Sequence, residues 1–329
     1  MMTAIVGAIA TTPVAGGEQQ AQPAAEAKAA PALVAIPSHH DTDIKVYRAG
    51  AIATGREALA QMPRADLVLW LAGNQFFAMD AVIAAFQKQN PTTSVALLTL
   101  PPGLLMQAIK AGGVTYDGET VRGRPDIYAS VNLGHLRELK RAGLMSQSLV
   151  YMHNELQIMV ARGNPKKVAG IDDLVRADVR TSLPNPVNEG IMQFYLRKVL
   201  ERHGLWQAIS ARQDCIACQT TANNWFTAVH HRETPLRIVA GQSDAGVVWR
   251  TEVLEAQRSG AAIEAIALPP QDSLRDEVSY AIGRIDDTPH AAAASAWLGF
   301  IGSDTGQDIY RSYGFVGASA SDLTPKPID

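Results

Sequence analysis

The sequence predicts an α/β protein of two lobes, and three observations carry that prediction. At 329 residues the chain exceeds what one ordinary core organises and suits two lobes of common size. Strand-like and helix-like segments alternate along it, which implies parallel sheets with right-handed crossovers. One stretch, Leu67 to Phe86, has the form of a buried strand, a polar turn and a helix in direct succession.

In that stretch Leu67-Val68-Leu69-Trp70-Leu71 is an unbroken apolar run, as a strand covered on both faces requires. It stops at Ala72-Gly73-Asn74-Gln75, and Phe77, Val82, Ala85 and Phe86 then recur at helical spacing. The turn aims backbone N–H groups outward from the carboxyl end of a strand, where open α/β sheets bind ligands. Gly73, Asn74 and Gln75 are therefore the first candidate contacts. Pro91 ends the helix, Ser94 to Leu98 is a second strand, and Pro101-Pro102-Gly103 precedes a helix from Leu104 to Lys110. After a Gly-rich connection from Ala111 to Arg124, Asp126 to Ala129 is a third strand and Leu133 to Ala142 a helix.

Asn154 to Val160 is a longer strand that passes to a second lobe, where the pattern restarts. Ile171 to Leu174 opens a short helix, Val179 to Leu183 is a strand, and Pro184 to Gly190 leads into an amphipathic helix ending near His203-Gly204. Asp244 to Trp249 is another apolar strand. Strands at Ala262 to Leu268 and Val278 to Ile282, with helices at Ala291 to Ile301 and Thr305 to Tyr313, are expected to complete the first lobe. The expected division is a tail at 1–31, an arm at 32–65, lobe one at 66–153 and 253–329, and lobe two at 154–252.

Apolar residues at 47%, charged residues at 19% and a net charge of −3 describe a soluble globular protein without the basic patch that nucleic acid requires. Met1 to Gly17 has the short apolar centre and small residues of a secretory signal but no preceding Lys or Arg, and Glu18 to Pro31 reads as a tether. No apolar run reaches the roughly 18 to 20 residues that span a bilayer. A periplasmic location is expected. His39, His40 and Asp41 read as part of a solvated arm, because paired histidines need further ligands to hold a metal.

Six segments in order carry a resemblance: LVLWLAGNQ at 67–75, QNP at 89–91, RPDIYASVN at 124–132, HNELQIMVARGNPKKVAGIDDL at 153–174, GQSDAGVVWRTEV at 241–253 and SDTGQDIYRSYGF at 303–315. Together they resemble the class II periplasmic solute-binding proteins, and within them the molybdate-binding components of ABC transporters. The resemblance implies two Rossmann-like lobes of periplasmic binding protein type II, joined by two crossing strands, with a ligand held between them. It also implies a hinge near 154–160 and 249–252, a membrane permease as partner, a small anionic solute, a monomer, no cofactor and no catalysis. Carried over residue by residue, the cleft is lined by Gly73, Asn74 and Gln75, by Pro102 and Gly103, by Asn185, Asn188, Glu189 and Gly190, and by Trp249 and Thr251. Asn74, the Leu100-Pro101-Pro102-Gly103 turn and Trp249 stand where molybdate-binding relatives usually have Ser, a Gly-Ser-Ser type turn and Tyr. Proline has no N–H to offer, so this set suits a small organic anion or another oxyanion as well as molybdate.

Asp214 to Leu236 is the distinctive stretch. Cys215 and Cys218 are the only cysteines, and their spacing admits a local disulfide, a buried thiol pair, or a metal or redox site. His230, His231, Arg232 and Glu233 follow at nearly zinc-site spacing, but adjacent histidines on a helix point roughly 100° apart and seldom share an ion. His230 and Arg232 can instead serve an anion if they face the cleft, since Arg donates paired bonds to carboxylates and oxyanions. The opposing reading pairs Arg232 with Glu233 in solvent. A metal or redox accessory using Cys215, Cys218, His230 and His231, and a ligand sensor, are the alternative functions. Neither a phosphate loop, a dinucleotide fingerprint, His-Glu-x-x-His nor Gly-x-Ser-x-Gly occurs in the chain.

Overall fold

A computed structural model of the protein describes residues 33–36, 43–48, 50–116, 118–228 and 233–329. The signal-like tail, the His39-His40-Asp41 cluster, and His230, His231 and Arg232 lie outside the described residues.

The chain begins with β1 (Val34–Ile36), β2 (Ile44–Arg48), β3 (Ala51–Thr54) and α1 (Gly55–Gln61). The segment expected to be an arm is thus sheet and helix. Ile44, Val46, Ala58 and Leu59 are buried, and apolar side chains at this spacing need a sheet to cover them. There follow β4 (Leu67–Ala72), α2 (Phe76–Gln89), β5 (Val95–Leu100), α3 (Pro102–Ala111), β6 (Gly113–Tyr116), β7 (Glu119–Arg122), β8 (Ile127–Ser130), α4 (Leu133–Arg141) and β9 (Gln147–His153). β4 pairs in parallel with β5 on one side and β8 on the other, and its side chains alternate between two cores, which is why its sequence carries no polar residue. The Gly-rich connection holds the β6–β7 hairpin, which joins β1 in a three-stranded sheet.

Then come β10 (Leu156–Ala161), β11 (Thr181–Leu183), a helix over 190–202 that contains a π turn at Met192–Leu196 and ends in α5 (Arg197–Arg202), and α6 (Trp206–Ser210). β12 (Cys218–Gln219), β13 (Asn224–Phe226), α7 (Glu233–Val239), β14 (Ala245–Trp249), α8 (Arg250–Arg258), β15 (Ile263–Ala267) and α9 (Pro270–Ser273) follow. The chain closes with β16 (Ser279–Arg284), α10 (Ala291–Gly302), α11 (Asp304–Ser312), β17 (Val316–Gly317) and β18 (Lys326–Pro327).

The first lobe is built on a nine-stranded sheet in the order β17-β9-β16-β8-β4-β5-β2-β3, with β18 also pairing β9. The second is built on a six-stranded sheet in the order β12-β13-β11-β14-β10-β15. Each has a parallel centre and antiparallel flanks, so the sheets are mixed where alternation alone implied parallel. The chain crosses from β9 to β10 through Asn154-Glu155. The return differs from expectation. Trp249 opens α8, and β15, placed by sequence in the first lobe, pairs antiparallel with β10. Met159, Ile238, Val248, Val253 and Ile263 bury one another in a small core there, so α8 and β15 must stay with the second sheet. The chain returns only between Ala267 and Ser279.

Candidate functional site

The turn after β4 is buried at Asn74 and Gln75. Gln75 is locked into the first lobe, donating through Nε2 to the Tyr151 hydroxyl at 2.8 Å and accepting through Oε1 from the Tyr310 hydroxyl at 3.2 Å. Its side chain anchors the turn, with both ends of the amide bonded inside the lobe. The side-chain amide of Asn74 instead meets the Tyr280 hydroxyl on β16.

Nδ2 is the end that faces Tyr280, and a second amide reaches the same hydroxyl. Asn154, at the crossing, accepts from the Glu155 backbone N–H through Oδ1 at 2.9 Å, which fixes its own orientation. Its Nδ2 therefore donates to Thr251 Oγ1 at 2.9 Å and to the Tyr280 hydroxyl at 3.1 Å. Burial holds the Tyr280 hydroxyl well above its ordinary pKa, so it keeps its proton and needs an acceptor. Its oxygen already accepts from the Asn74 and Asn154 amides, so that acceptor must come from elsewhere. Asn74 Oδ1 has no partner among the described residues.

Trp249 ends β14 fully buried, its ring 5.9 Å from that of Tyr280 and 5.6 Å from that of Tyr195 on the 190–202 helix. Its Nε1 also has no partner among the described residues. Two buried donors, the Tyr280 O–H and the Trp249 N–H, thus belong to neighbouring rings. An unmade hydrogen bond of this kind costs roughly 1–3 kcal/mol, so the place calls for an acceptor.

The second-lobe loop from Pro184 to Gly190 is shaped by its own side chains. Asn185 Oδ1 accepts from the backbone N–H groups of Val187 at 3.1 Å and Asn188 at 3.0 Å, while its Nδ2 donates to Ala228 O at 3.2 Å and to Glu189 Oε1 at 3.3 Å. Glu189 also accepts from Thr227 Oγ1 at 2.7 Å. Asn185 and Glu189 therefore hold the loop, and the Asn188 side-chain oxygen, buried and without a partner among the described residues, is its open polar atom. This loop touches the first lobe. A Cβ on Gly103 would lie 2.9 Å from Asn188 O, and one on Gly190 would lie 2.6 Å from Val131 Cγ2 and 3.0 Å from Pro102 Cγ.

The structure thus gathers Asn74, Trp249 and Thr251 around Tyr280, and Pro102, Gly103, Asn188 and Gly190 at a contact between the lobes. Tyr195 links the two groups, since its ring meets Trp249 and its hydroxyl donates to Val131 O at 2.6 Å. Gln75, Asn185 and Glu189 serve as scaffolding, and His230 and Arg232 fall outside the described residues. Glu233 accepts from Trp225 Nε1 at 2.9 Å and from Ala228 N–H at 2.8 Å, which ties α7 to β13. Sequence reasoning does not reach Tyr280, Tyr195 or the loop after β8. The rule that selects the ends of β4 and β5 also selects the end of β8, so that loop carries a usable signal, whereas a tyrosine in a strand carries no mark of its role.

Cys215 and Cys218 form a disulfide with Cα atoms 6.1 Å apart. Thiolates are what bind metals, so a site built on Cys215, Cys218, His230 and His231 loses two ligands. No group of three or more His, Cys, Asp or Glu suited to a metal is present among the described residues.

His135, on α4 behind the β8 loop, has its Nδ1 3.1 Å from Ser130 Oγ and 3.2 Å from the Tyr128 hydroxyl. Burial pushes its imidazole from the ordinary 6.5 down to about 4, against opposing pulls from Glu138 and Gln193. Between those values the unfolded chain holds the proton and the folded one does not, so stability rises with pH across that window. Above pH 6.5 the full stability is present. As pH falls from 6.5 to about 4, roughly 3 kcal/mol is lost, and His135→Gln flattens that slope in urea melts taken at intervals from pH 4 to 7.

The sequence profile of the bacterial extracellular solute-binding protein family matches residues 67–316. Over 164 residues the chain is 23% identical to the putative ABC transporter substrate-binding lipoprotein YvgL of Bacillus subtilis (strain 168), covering 50% of this chain and 55% of that protein. The chain thus spans about half the length of that curated relative. In fold it is similar to the periplasmic molybdate-binding protein of Azotobacter vinelandii, at 16% identity and a TM-score of 0.58 over 77% of this chain and 100% of that one. It is also similar to the sulfate-binding protein SubI from Mycobacterium tuberculosis H37Rv, at 17% identity and a TM-score of 0.56 over 78% of this chain and 88% of that one. Both likenesses are to periplasmic binding protein type II folds of two Rossmann-like lobes. No helix among the described residues is long and apolar enough to cross a membrane. With the profile covering most of the folded chain, this protein belongs to the bacterial extracellular solute-binding protein family.

Proposed function

We propose that the protein captures a small anion, an oxyanion or a small organic acid, between its lobes and delivers it to the membrane permease of an ABC transporter. It works outside the cytoplasmic membrane, in the periplasm, as a monomer, and breaks no bond. One observation carries the choice of an anion. The Tyr280 hydroxyl keeps its proton after accepting from Asn74 and Asn154, the Trp249 ring beside it has an Nε1–H unpartnered among the described residues, and uncharged donors that are fixed in place bind an anion without reorganising. The carboxyl ends of β4, β5 and β8 add the starts of α2, α3 and α4, which favour negative charge. Trp249 adds an apolar wall that suits a solute with a planar part. The solved proteins of like fold named for molybdate and sulfate support the reading by analogy.

Thermal melts with molybdate, tungstate, sulfate, phosphate and small carboxylates test it. A solute present at 100 times its dissociation constant adds about 2.7 kcal/mol, which raises the melting temperature by roughly 5–10 °C. Stabilisation by copper or zinc, with none by any anion, would overturn the reading.

A further inference from the structure

We propose that the π turn at Met192–Leu196 holds the two lobes shut, with Tyr195 and Phe194 as the residues that position the closed state. The proposal rests on the lobes opening and closing around a solute, but not on which solute that is.

The 190–202 helix follows β11 and belongs to the second lobe, yet two adjacent side chains of its π turn reach the first. The Tyr195 hydroxyl donates to Val131 O at 2.6 Å and accepts from the Ser279 backbone N–H at 3.4 Å. Val131 follows β8 and Ser279 opens β16, so one hydroxyl ties two strands of the first sheet to the second lobe. Phe194 stands edge-on to His135 with ring centres 4.8 Å apart. It also fills the space beside Gly134, where a Cβ would lie 2.7 Å from Phe194 Cε1.

The π turn explains how neighbours share that task. In a regular helix consecutive side chains are roughly 100° apart and do not face one partner together. A single wider turn of i→i+5 type re-aims them, and such turns are frequent at functional sites. Asn188 and Gly190 sit just ahead of the turn, and Gln193 Nε2 donates to Val187 O at 2.7 Å, binding the turn to the loop that meets Gly103. Tyr195 also faces Trp249. Closure therefore sets the loop and the indole in one movement.

The test is a distance measurement on the full chain with its native disulfide intact. Spin labels on Lys110→Cys in α3 and Lys198→Cys in α5, both exposed positions, report the separation of the lobes. The expected result for the solute-free parent is a distribution with a short, closed component. Tyr195→Phe keeps the ring and removes the two hydroxyl bonds, and should lower the closed-to-open ratio about fivefold. Phe194→Ala should lower it too. Solute-free melting temperatures of the full-length variants should stay near the parent's, which a role in folding alone would not allow. A parent with no short component, or variants whose distributions match the parent's, would overturn the proposal. Molybdate, added as a probe, separates this outcome from the reading above: if it leaves the parent's distribution and melting unchanged, molybdate binding fails while the effect of Tyr195→Phe on closure stands.

Discussion

Gly103→Ala is expected to weaken solute binding by roughly 5- to 150-fold while leaving the solute-free melting temperature within about 2 °C of the parent's or above it. The two effects have opposite causes. Gly103 lies in the first turn of α3, and a Cβ there would sit 2.9 Å from the carbonyl oxygen of Asn188 and 3.3 Å from its Cα. These are backbone atoms at the tip of the opposite lobe and cannot rotate away, so the lobes must stop short of each other. Overpacking of this order costs roughly 1–3 kcal/mol, taken from the closed state alone. Within the open first lobe alanine is the better helix residue, by up to about 1 kcal/mol. Titration calorimetry with the anion that stabilises the parent most, read beside solute-free melts, checks both. Binding as tight as the parent's would mean that the contact between Gly103 and Asn188 has no part in capture.

Asn154→Leu is expected to lower stability by about 3–4 kcal/mol and to abolish binding at concentrations that saturate the parent. The side chain is almost fully buried and uses three bonds at once: to Glu155 N–H, to Thr251 Oγ1 and to the Tyr280 hydroxyl. Leucine fills similar space but leaves a buried N–H and two hydroxyls short of partners, each at a cost of about 1 kcal/mol or more. Tyr280 then accepts from Asn74 alone, so its proton is no longer held toward the solute proposed above. Asn154→Asp distinguishes the two roles. It keeps the acceptor for Glu155 but removes the hydrogen that orients Tyr280, and should impair binding more than it impairs urea stability. An Asn154→Asp variant that binds like the parent would refute the orienting role.

Much of this architecture is legible in residue order. The run from Leu67 to Leu71 has no polar position because both faces of β4 are covered, Leu67, Leu69 and Leu71 entering one core and Val68 and Trp70 another, and that pattern is visible without coordinates. The same holds for Asp244 to Trp249 and for the helices near 291–301 and 305–313. The sheet within 32–65 is hidden in the sequence because β2 and β3 are short antiparallel strands at a sheet edge, whose pattern over five and four residues is too brief to tell from a loop. The place of β15 is hidden for another reason. Its residues suit either sheet, and only the neighbours Met159, Val253 and Ile238 decide which.

By itself the sequence determined the fold class, the family and the strand-end turns at Asn74, Gly103 and Asn188, because these depend on local periodicity and on where polar turns interrupt apolar runs. Tertiary structure alone decided which of those side chains are spent within the fold and which keep an unpartnered polar atom. Gln75 and Asn74 are adjacent and both amides, yet one is spent at both ends on Tyr151 and Tyr310 while the other donates to Tyr280 and leaves its Oδ1 without a partner among the described residues. Those partners lie from 76 to 235 residues away along the chain, so no local pattern records them.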